Sequence, residues 1–165
     1  MKTPTDASPS DYAERALRLV DQQFIMTLAT AASNQAWAAP VYYVFHTADF
    51  FFFSKPESTH IEQGLMNDQV GASIHPFAET WQGIRGIQMN GRITPVRPGM
   101  TAVRAIRAYL AKFPFVQEFF DEGQMLDLIG FSRRFRVKLY RFTPLRAYYL
   151  DNEVRFGFRT EVVLA

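Results

Sequence analysis

One short segment holds most of the side chains suited to binding a ligand, Ser54-Lys55-Pro56-Glu57-Ser58-Thr59-His60. Pro56 favours the first turn of a helix, and Ser54 and Glu57 have the spacing of a capping box, so a strand should end and a helix begin here. The free backbone N–H groups of a helix start, together with a cation, form a site for an anion such as phosphate. An ordinary capped turn with solvated polar side chains explains the same residues, and both interpretations stay open.

Other catalytic chemistry is largely missing. The chain has no cysteine, which excludes disulfides, thiolate catalysis and cysteine-ligated metals. No two of the histidines His46, His60 and His75 have H-x-x-x-H metal spacing, and no G-x-S-x-G elbow, Walker loop or G-x-G-x-x-G motif occurs. The sequence therefore identifies no catalytic residue and predicts no metal site. Any redox chemistry would need a bound cofactor.

The length and net charge of the chain exclude some classes of protein. The 165 residues suit one domain, and a net charge of +2 argues against a dedicated nucleic-acid binder. No apolar run approaches the roughly 20 residues that span a bilayer, so no membrane partner is expected. Residues 1–9 lack the apolar core of a signal peptide and are predicted to form a flexible tail before a single domain over residues 10–165. These features predict a cytoplasmic protein.

Strands are predicted from short apolar runs that are bounded by turn residues. Gly86 and Gly91 within the fifth run indicate a bulge or a close approach of another strand. In the sixth run Arg134, Arg136 and Lys138 share one face, which is typical of a solvated outer strand or of a cationic wall beside an anionic ligand. A turn at Thr143-Pro144 separates it from the last run. The seven runs are 24–30, 37–45, 50–53, 70–75, 84–96, 134–142 and 145–150.

Helices are predicted at three further places. Ser8-Pro9-Ser10-Asp11 has the cap, proline and acid of a helix start. The apolar face of that helix would comprise Tyr12, Ala16, Leu19 and Val20. A second helix over 101–112 has an apolar stripe of Val103, Ile106 and Leu110, and a short helix is predicted over 115–120.

Several local strings, in their order and spacing, resemble one known superfamily. The strings are Met26-Thr-Leu-Ala-Thr30, Ala39-Pro-Val-Tyr-Tyr43, Phe52-Phe-Ser54 with Glu57-Ser-Thr-His60, and Ile84-Arg-Gly-Ile-Gln-Met-Asn-Gly91. They resemble the FMN-binding split-barrel superfamily, the pyridoxamine-5′-phosphate-oxidase-like proteins, over residues 24–150. The end of the chain, Tyr148-Tyr-Leu-Asp-Asn152 with Phe156-Gly-Phe158, is similar to a small bacterial subgroup of that superfamily.

The resemblance implies a mainly β (α+β) fold, a Greek-key split barrel of about six antiparallel strands with flanking helices. It implies a homodimer with FMN in clefts at the dimer interface. The backbone of the second strand would line the flavin ring and the segment after the third strand would hold the phosphate, with a contribution from the fifth strand. The corresponding residues are Pro40, Val41 and Tyr42 at the ring; Ser54, Lys55, Ser58, Thr59 and His60 at the phosphate; and Arg85 and Gln88 on the fifth strand. Tyr42 and Trp81 are candidates for stacking near the ring.

This chain departs from the family pattern at the phosphate. Thr59 and His60 stand where the family has an Arg-Lys pair, and Ala39 and Val44 replace an arginine and a lysine of the oxidases. A hydroxyl and an imidazole bind phosphate less strongly than two full charges. The sequence therefore argues against pyridoxamine-phosphate oxidation itself.

Three functions remain open. The first is an FMN-dependent oxidoreductase acting on a small molecule, with deazaflavin as a variant cofactor. The second is a haem-binding or haem-degrading barrel that uses His75 or His60 as the axial ligand. The third is a binding module that has lost the cofactor and catalyses nothing.

Overall fold

The computed structural model describes residues 8–119 and 135–165. Most of the predicted tail, Phe120 of the predicted short helix and Arg134 of the predicted sixth strand lie outside the described residues. The elements in chain order are α1 (Pro9–Gln22), β1 (Ile25–Ala32), β2 (Gln35–Tyr42), β3 (Val44–His46), β4 (Asp49–Ser54), α2 (Thr59–Met66), β5 (Val70–Ile74), β6 (Arg85–Pro95), α3 (Met100–Lys112), a 3-10 helix (Pro114–Phe119), β7 (Lys138–Asp151) and β8 (Arg159–Val162).

The strands form one curled antiparallel sheet. Their order is β2-β1-β5-β6-β7-β4-β3, and β8 pairs with β7 beside this path. The sheet and its three α-helices confirm the predicted α+β split-barrel class. The described residues contain eight strands rather than about six, because one predicted strand is divided and the segment after residue 158 forms an additional one.

The predicted strand over 37–45 is interrupted at Tyr43. Its hydroxyl donates to the carbonyl oxygen of Val20 over 2.6 Å, and its N–H donates to that of Phe24 over 3.2 Å. These bonds hold Tyr43 against the end of α1, so the chain leaves β1 after Tyr42 and pairs with β4 from Val44 onward.

The predicted turn at Thr143-Pro144 is wrong, because β7 runs through it without interruption. Pro144 lies opposite Gly91, where the register of the β6–β7 pair shifts and the missing N–H of proline is accommodated. A Cβ on Gly91 would lie 2.3 Å from the carbonyl oxygen of Thr143, so only glycine fits. The prediction of a solvated outer strand is also wrong, because β7 lies between β6 and β4 in the sheet. Arg136 precedes this strand and lies in a left-handed conformation with φ 53°.

Two apolar clusters hold the fold together. One fills the curled sheet beneath α1, which starts at the predicted cap, where Ser8 and Asp11 form a capping box, and which buries the predicted face. The other lies on the outside, where α3 covers Phe51 and Phe53 of β4. Within α3 the predicted stripe is partly wrong, because Val103 is exposed while Ala102, Ala105 and Tyr109 are buried beside Ile106 and Leu110. No helix of the described residues is long and apolar enough to cross a bilayer.

Candidate functional site

The segment Ser54–His60, hereafter the phosphate turn, joins β4 to α2. Ser54 ends β4, and the helix begins at Thr59 with Ser58 as its cap, so the predicted capping box between Ser54 and Glu57 does not form. Ser58 makes no side-chain capping hydrogen bond, and its hydroxyl lies 3.4 Å from the Ser54 hydroxyl. The Ser58 carbonyl oxygen accepts hydrogen bonds from the backbone N–H groups of Ile61 and Glu62. The first N–H groups of the helix have no intrahelical partner and are suited to an anion.

His60 lies at the base of the phosphate turn and is only 9% exposed. Its Nε2 lies 2.8 Å from the Ser54 hydroxyl oxygen, within hydrogen-bonding distance. Burial removes water from the ring and lowers the pKa of His60 below its usual value. The imidazole is therefore neutral near pH 7, where it orients Ser54 and adds no positive charge.

A lysine of the predicted basic strand face lies in the strand next to the phosphate turn. In the β4–β7 pair, Lys138 is directly opposite Ser54. Side chains at such positions point to the same face, with Cβ atoms about 5 Å apart. Lys138 and Lys55 are both exposed, one opposite Ser54 across the strand pair and the other next to it along the chain. The register of the two strands, which brings Lys138 here, cannot be read from the sequence.

Two of the three residues predicted to line a ring lie on the outer face of the sheet. Pro40 and Tyr42 are exposed there, whereas Val41 is buried in the inner cluster. Tyr42 packs edge-on against Phe113, with ring centroids 5.3 Å apart. Gln88 is exposed on the same face and accepts a 3.4 Å hydrogen bond from Arg159.

One cross-strand row links these two parts of the outer face. It runs from Pro40 through Thr27 and Ser73 to Gln88. Three strand spacings separate its ends, about 14 Å in all.

Arg85 does not join the phosphate turn within one chain. It starts β6 opposite Asp151, whereas Pro95 at the other end of β6 lies opposite Tyr140, near Lys138. At about 3.3 Å per residue, the two ends of β6 are roughly 33 Å apart along the strand. The two residues predicted to stack near the ring have different neighbours: Trp81 packs on Phe156 at 5.8 Å, whereas Tyr42 packs on Phe113 and Phe115.

The histidines differ in their accessibility. His75 follows β5 and is exposed, with its Nδ1 3.2 Å from the carbonyl oxygen of Pro76. His46 is half-buried at the end of β3. Within residues 8–119 and 135–165, no group of three or more histidine, aspartate or glutamate residues is placed to hold a metal ion.

Comparisons with known proteins agree with this architecture. No family model matches the chain. A UPF0306 protein of Photorhabdus laumondii is 29% identical over 99 residues, which cover 59% of this chain and 68% of that protein. Its name assigns no activity.

Among solved structures, a FAD-binding protein from Mesorhizobium loti has a TM-score of 0.60 at 16% identity, over 82% of this chain and 91% of that one. A haem-binding protein from Mycobacterium smegmatis has a TM-score of 0.68 at 15% identity, over 92% of this chain and 57% of that one. These likenesses confirm the split-barrel fold that the sequence resemblance predicted.

Proposed function

We propose that this chain binds FMN as a homodimer and acts as a flavin-dependent oxidoreductase on a small molecule. The observation that carries the proposal is the phosphate turn. It combines hydroxyl groups, the N-terminus of α2 and the ammonium groups of Lys55 and Lys138. A flavin-binding structure of the same fold, the Mesorhizobium loti protein, supports a flavin as the ligand.

The residues present fit a phosphate group. The Ser58 hydroxyl is not used for capping, and Thr59 is exposed beside it. Lys55 and Lys138 supply the positive charge that the neutral His60 does not. Charge-assisted hydrogen bonds of this kind contribute about 1.5–3 kcal/mol each.

The outer face of the sheet favours a second copy as the other wall of the cofactor site. Its central rows carry small side chains, with Ala29 paired to Ala38 on one side and to Gly71 on the other. Four residues further along the same strands, Ile25 and Tyr42 lie opposite each other and are each 48% exposed. Small side chains allow two sheets to approach closely, and exposed apolar side chains of this size mark an interaction surface.

The chain's own residues would bind and orient the cofactor. A bound flavin would supply hydride exchange with the substrate, and the protein would supply orientation of the ring. Pro40 and the backbone of β2 would lie against the ring, while the apolar surface of Tyr42 and Phe115 would exclude water.

The proposal is tested by titrating the purified protein with FMN and with riboflavin, following the visible flavin bands and the elution of the dimer. FMN is expected to bind more tightly than riboflavin, which lacks the phosphate. Lys138→Gln should weaken FMN binding roughly tenfold and leave riboflavin unchanged, because 1.4 kcal/mol corresponds to a factor of ten. Arg104→Gln, an exposed arginine on α3, is the matched control. A protein that binds neither flavin contradicts the proposal and favours a binding module without a cofactor.

Haem is the second candidate, and the accessibility of His75 favours it. This imidazole is exposed two residues before Phe77, which is itself 88% exposed, whereas the His60 ring is within hydrogen-bonding distance of Ser54. The haem-binding structure from Mycobacterium smegmatis shares the fold. Hemin titration should then give a Soret band that His75→Ala removes and His46→Ala retains. A band unaffected by His75→Ala would refute this ligand assignment.

A further inference from the structure

A cleft of about 430 Å³ lies at the end of the barrel away from the phosphate turn, between α1, the start of β6 and the end of β7. Arg15 and Arg18 of α1 and Arg85 of β6 line it together. Of these arginines, only Arg85 belongs to the residues predicted to contact a flavin. The volume lies within the roughly 300–1,000 Å³ of small-molecule sites.

A buried carboxylate fixes the base of the cleft. Asp151 is 3% exposed and accepts hydrogen bonds from the Tyr149 hydroxyl at 2.9 Å and from the Glu153 N–H at 3.0 Å. Burial and the bond to Asp151 raise the pKa of Tyr149, so the hydroxyl remains a donor. The Arg15 guanidinium is 3.8 Å from this carboxylate, beyond hydrogen-bonding length, and its N–H donors stay available.

The other two arginines also have unused binding capacity. Among the described residues Arg18 pairs only with Glu14, on the surface of α1 at 3.5 Å, and an exposed pair of this kind contributes little to stability. Arg85 forms no salt bridge with any described residue. Guanidinium groups bind carboxylates in a two-pronged geometry, which favours an anion with two oxygens in one plane.

The charge of the lining limits the ligand. Arg15, Arg18 and Arg85 contribute three positive charges and Asp151 and Glu153 two negative ones, which leaves +1. A dianion would meet repulsion from both acids, whereas a monoanion balances the site. A carboxylate is therefore favoured over a phosphate monoester.

An adjoining hollow of about 430 Å³ gives the ligand room for an apolar body. It shares Arg85, Asp151 and Glu153 with the first cleft, and Phe77, Ala78 and Gly83 line it together with the polar side chains of Glu79 and Gln82. Glu79 would repel a second negative charge there, so the part of the ligand in this hollow is expected to be uncharged.

Hydrogen bonds between two loops hold the wall of this hollow in place. Asn152 donates its Nδ2–H to the carbonyl oxygen of Trp81 at 2.9 Å and its backbone N–H to that of Ile84. Gly157 donates in turn to the Asn152 side chain. A wall fixed in this way lowers the ordering cost of binding.

We propose that this cleft binds a small organic monocarboxylate, with its carboxylate at Arg15 and Arg85 and its body along Phe77. The site is separate from the phosphate turn. It does not require the chain to bind a flavin.

The test uses the cofactor-free full-length protein and calorimetric titration with benzoate. Benzyl alcohol, which lacks the charge, and phenyl phosphate, which carries a second charge near neutral pH, are the comparison ligands. Benzoate should bind with saturation and more tightly than either. Arg15→Gln and Arg85→Gln should each weaken it by roughly tenfold or more, the scale of a charged hydrogen bond. Arg104→Gln on α3 should bind benzoate like the parent protein.

Three results would overturn the proposal. They are the absence of saturable benzoate binding, equal or tighter binding of phenyl phosphate, and unchanged benzoate affinity in both arginine variants. Thermal unfolding of each variant checks that it is folded. If Arg15→Gln unfolds because Asp151 loses its neighbour, Arg85→Gln alone decides. FMN affinity of Arg15→Gln should equal that of the parent, so failure here is distinguishable from failure of the flavin proposal.

Discussion

Acidification is expected to destabilise the protein through His60. In the folded state the ring is buried and bonded to Ser54, and its pKa is lowered from 6.5 by desolvation. Above pH 6.5 both the folded and the unfolded chain carry a neutral ring, and stability is fully present. As the pH falls below 6.5 the unfolded chain binds a proton that the folded chain resists, so stability declines until the pH reaches the folded-state pKa.

The size of this effect follows from one proton. The free energy of unfolding should fall by at most about 1.4 kcal/mol per pH unit in that window. His60→Asn keeps a polar group near Ser54 but cannot titrate in this range, and it should flatten the slope. Near neutral pH the substitution should lower the free energy of unfolding by about 1–3 kcal/mol, because the Ser54 hydroxyl loses a well-placed buried partner.

Urea unfolding of the parent protein and its variants between about pH 8 and about pH 5 measures the slope. The control variant His75→Gln removes an exposed histidine and should have the same slope as the parent protein. An equal slope in the parent and in His60→Asn would refute a buried neutral His60. The same variant should bind FMN more weakly than the parent if orientation of Ser54 supports the phosphate.

Two further outcomes are expected from buried contacts. Gly91→Ala should lower the free energy of unfolding by roughly 2 kcal/mol or more, because its Cβ would overlap the Thr143 carbonyl. The control is Gly83→Ala, since a Cβ on Gly83 would make only ordinary contacts. Equal stability of the two variants would contradict the close approach of β6 and β7. Burial lowers the pKa of Lys112 to about 8 above the Tyr43 ring, so stability should rise with pH from about 8 to about 9, where the unfolded chain retains a proton that the folded chain releases. Nearer pH 10 the rise should end, because burial raises the pKa of Tyr43, Tyr109 and Tyr149 and the unfolded chain then loses protons that the folded chain keeps. Lys112→Met should abolish this rise in denaturant titrations at several pH values, and an identical rise in that variant would show that another group is responsible.

The sequence by itself determined the local elements. Ser8, Pro9 and Asp11 encode the start of α1, and the apolar runs encode most strands, because capping, backbone restriction and hydrophobic patterning act over a few residues. The resemblance to split-barrel proteins also predicted the fold class. Local pattern also made the segment Ser54–His60 a candidate anion site, with an ordinary capped turn as the alternative.

Only the tertiary structure decided which of these residues meet. Tyr43 ends β2 because its hydroxyl finds the Val20 carbonyl, and β7 passes through Pro144 because Gly91 lies opposite. Strand register brings Lys138 to Ser54, more than eighty residues earlier in the chain. The three arginines likewise meet in one cleft only after α1 packs on the barrel. Register and packing depend on contacts between distant segments, and no local pattern of residue types specifies them.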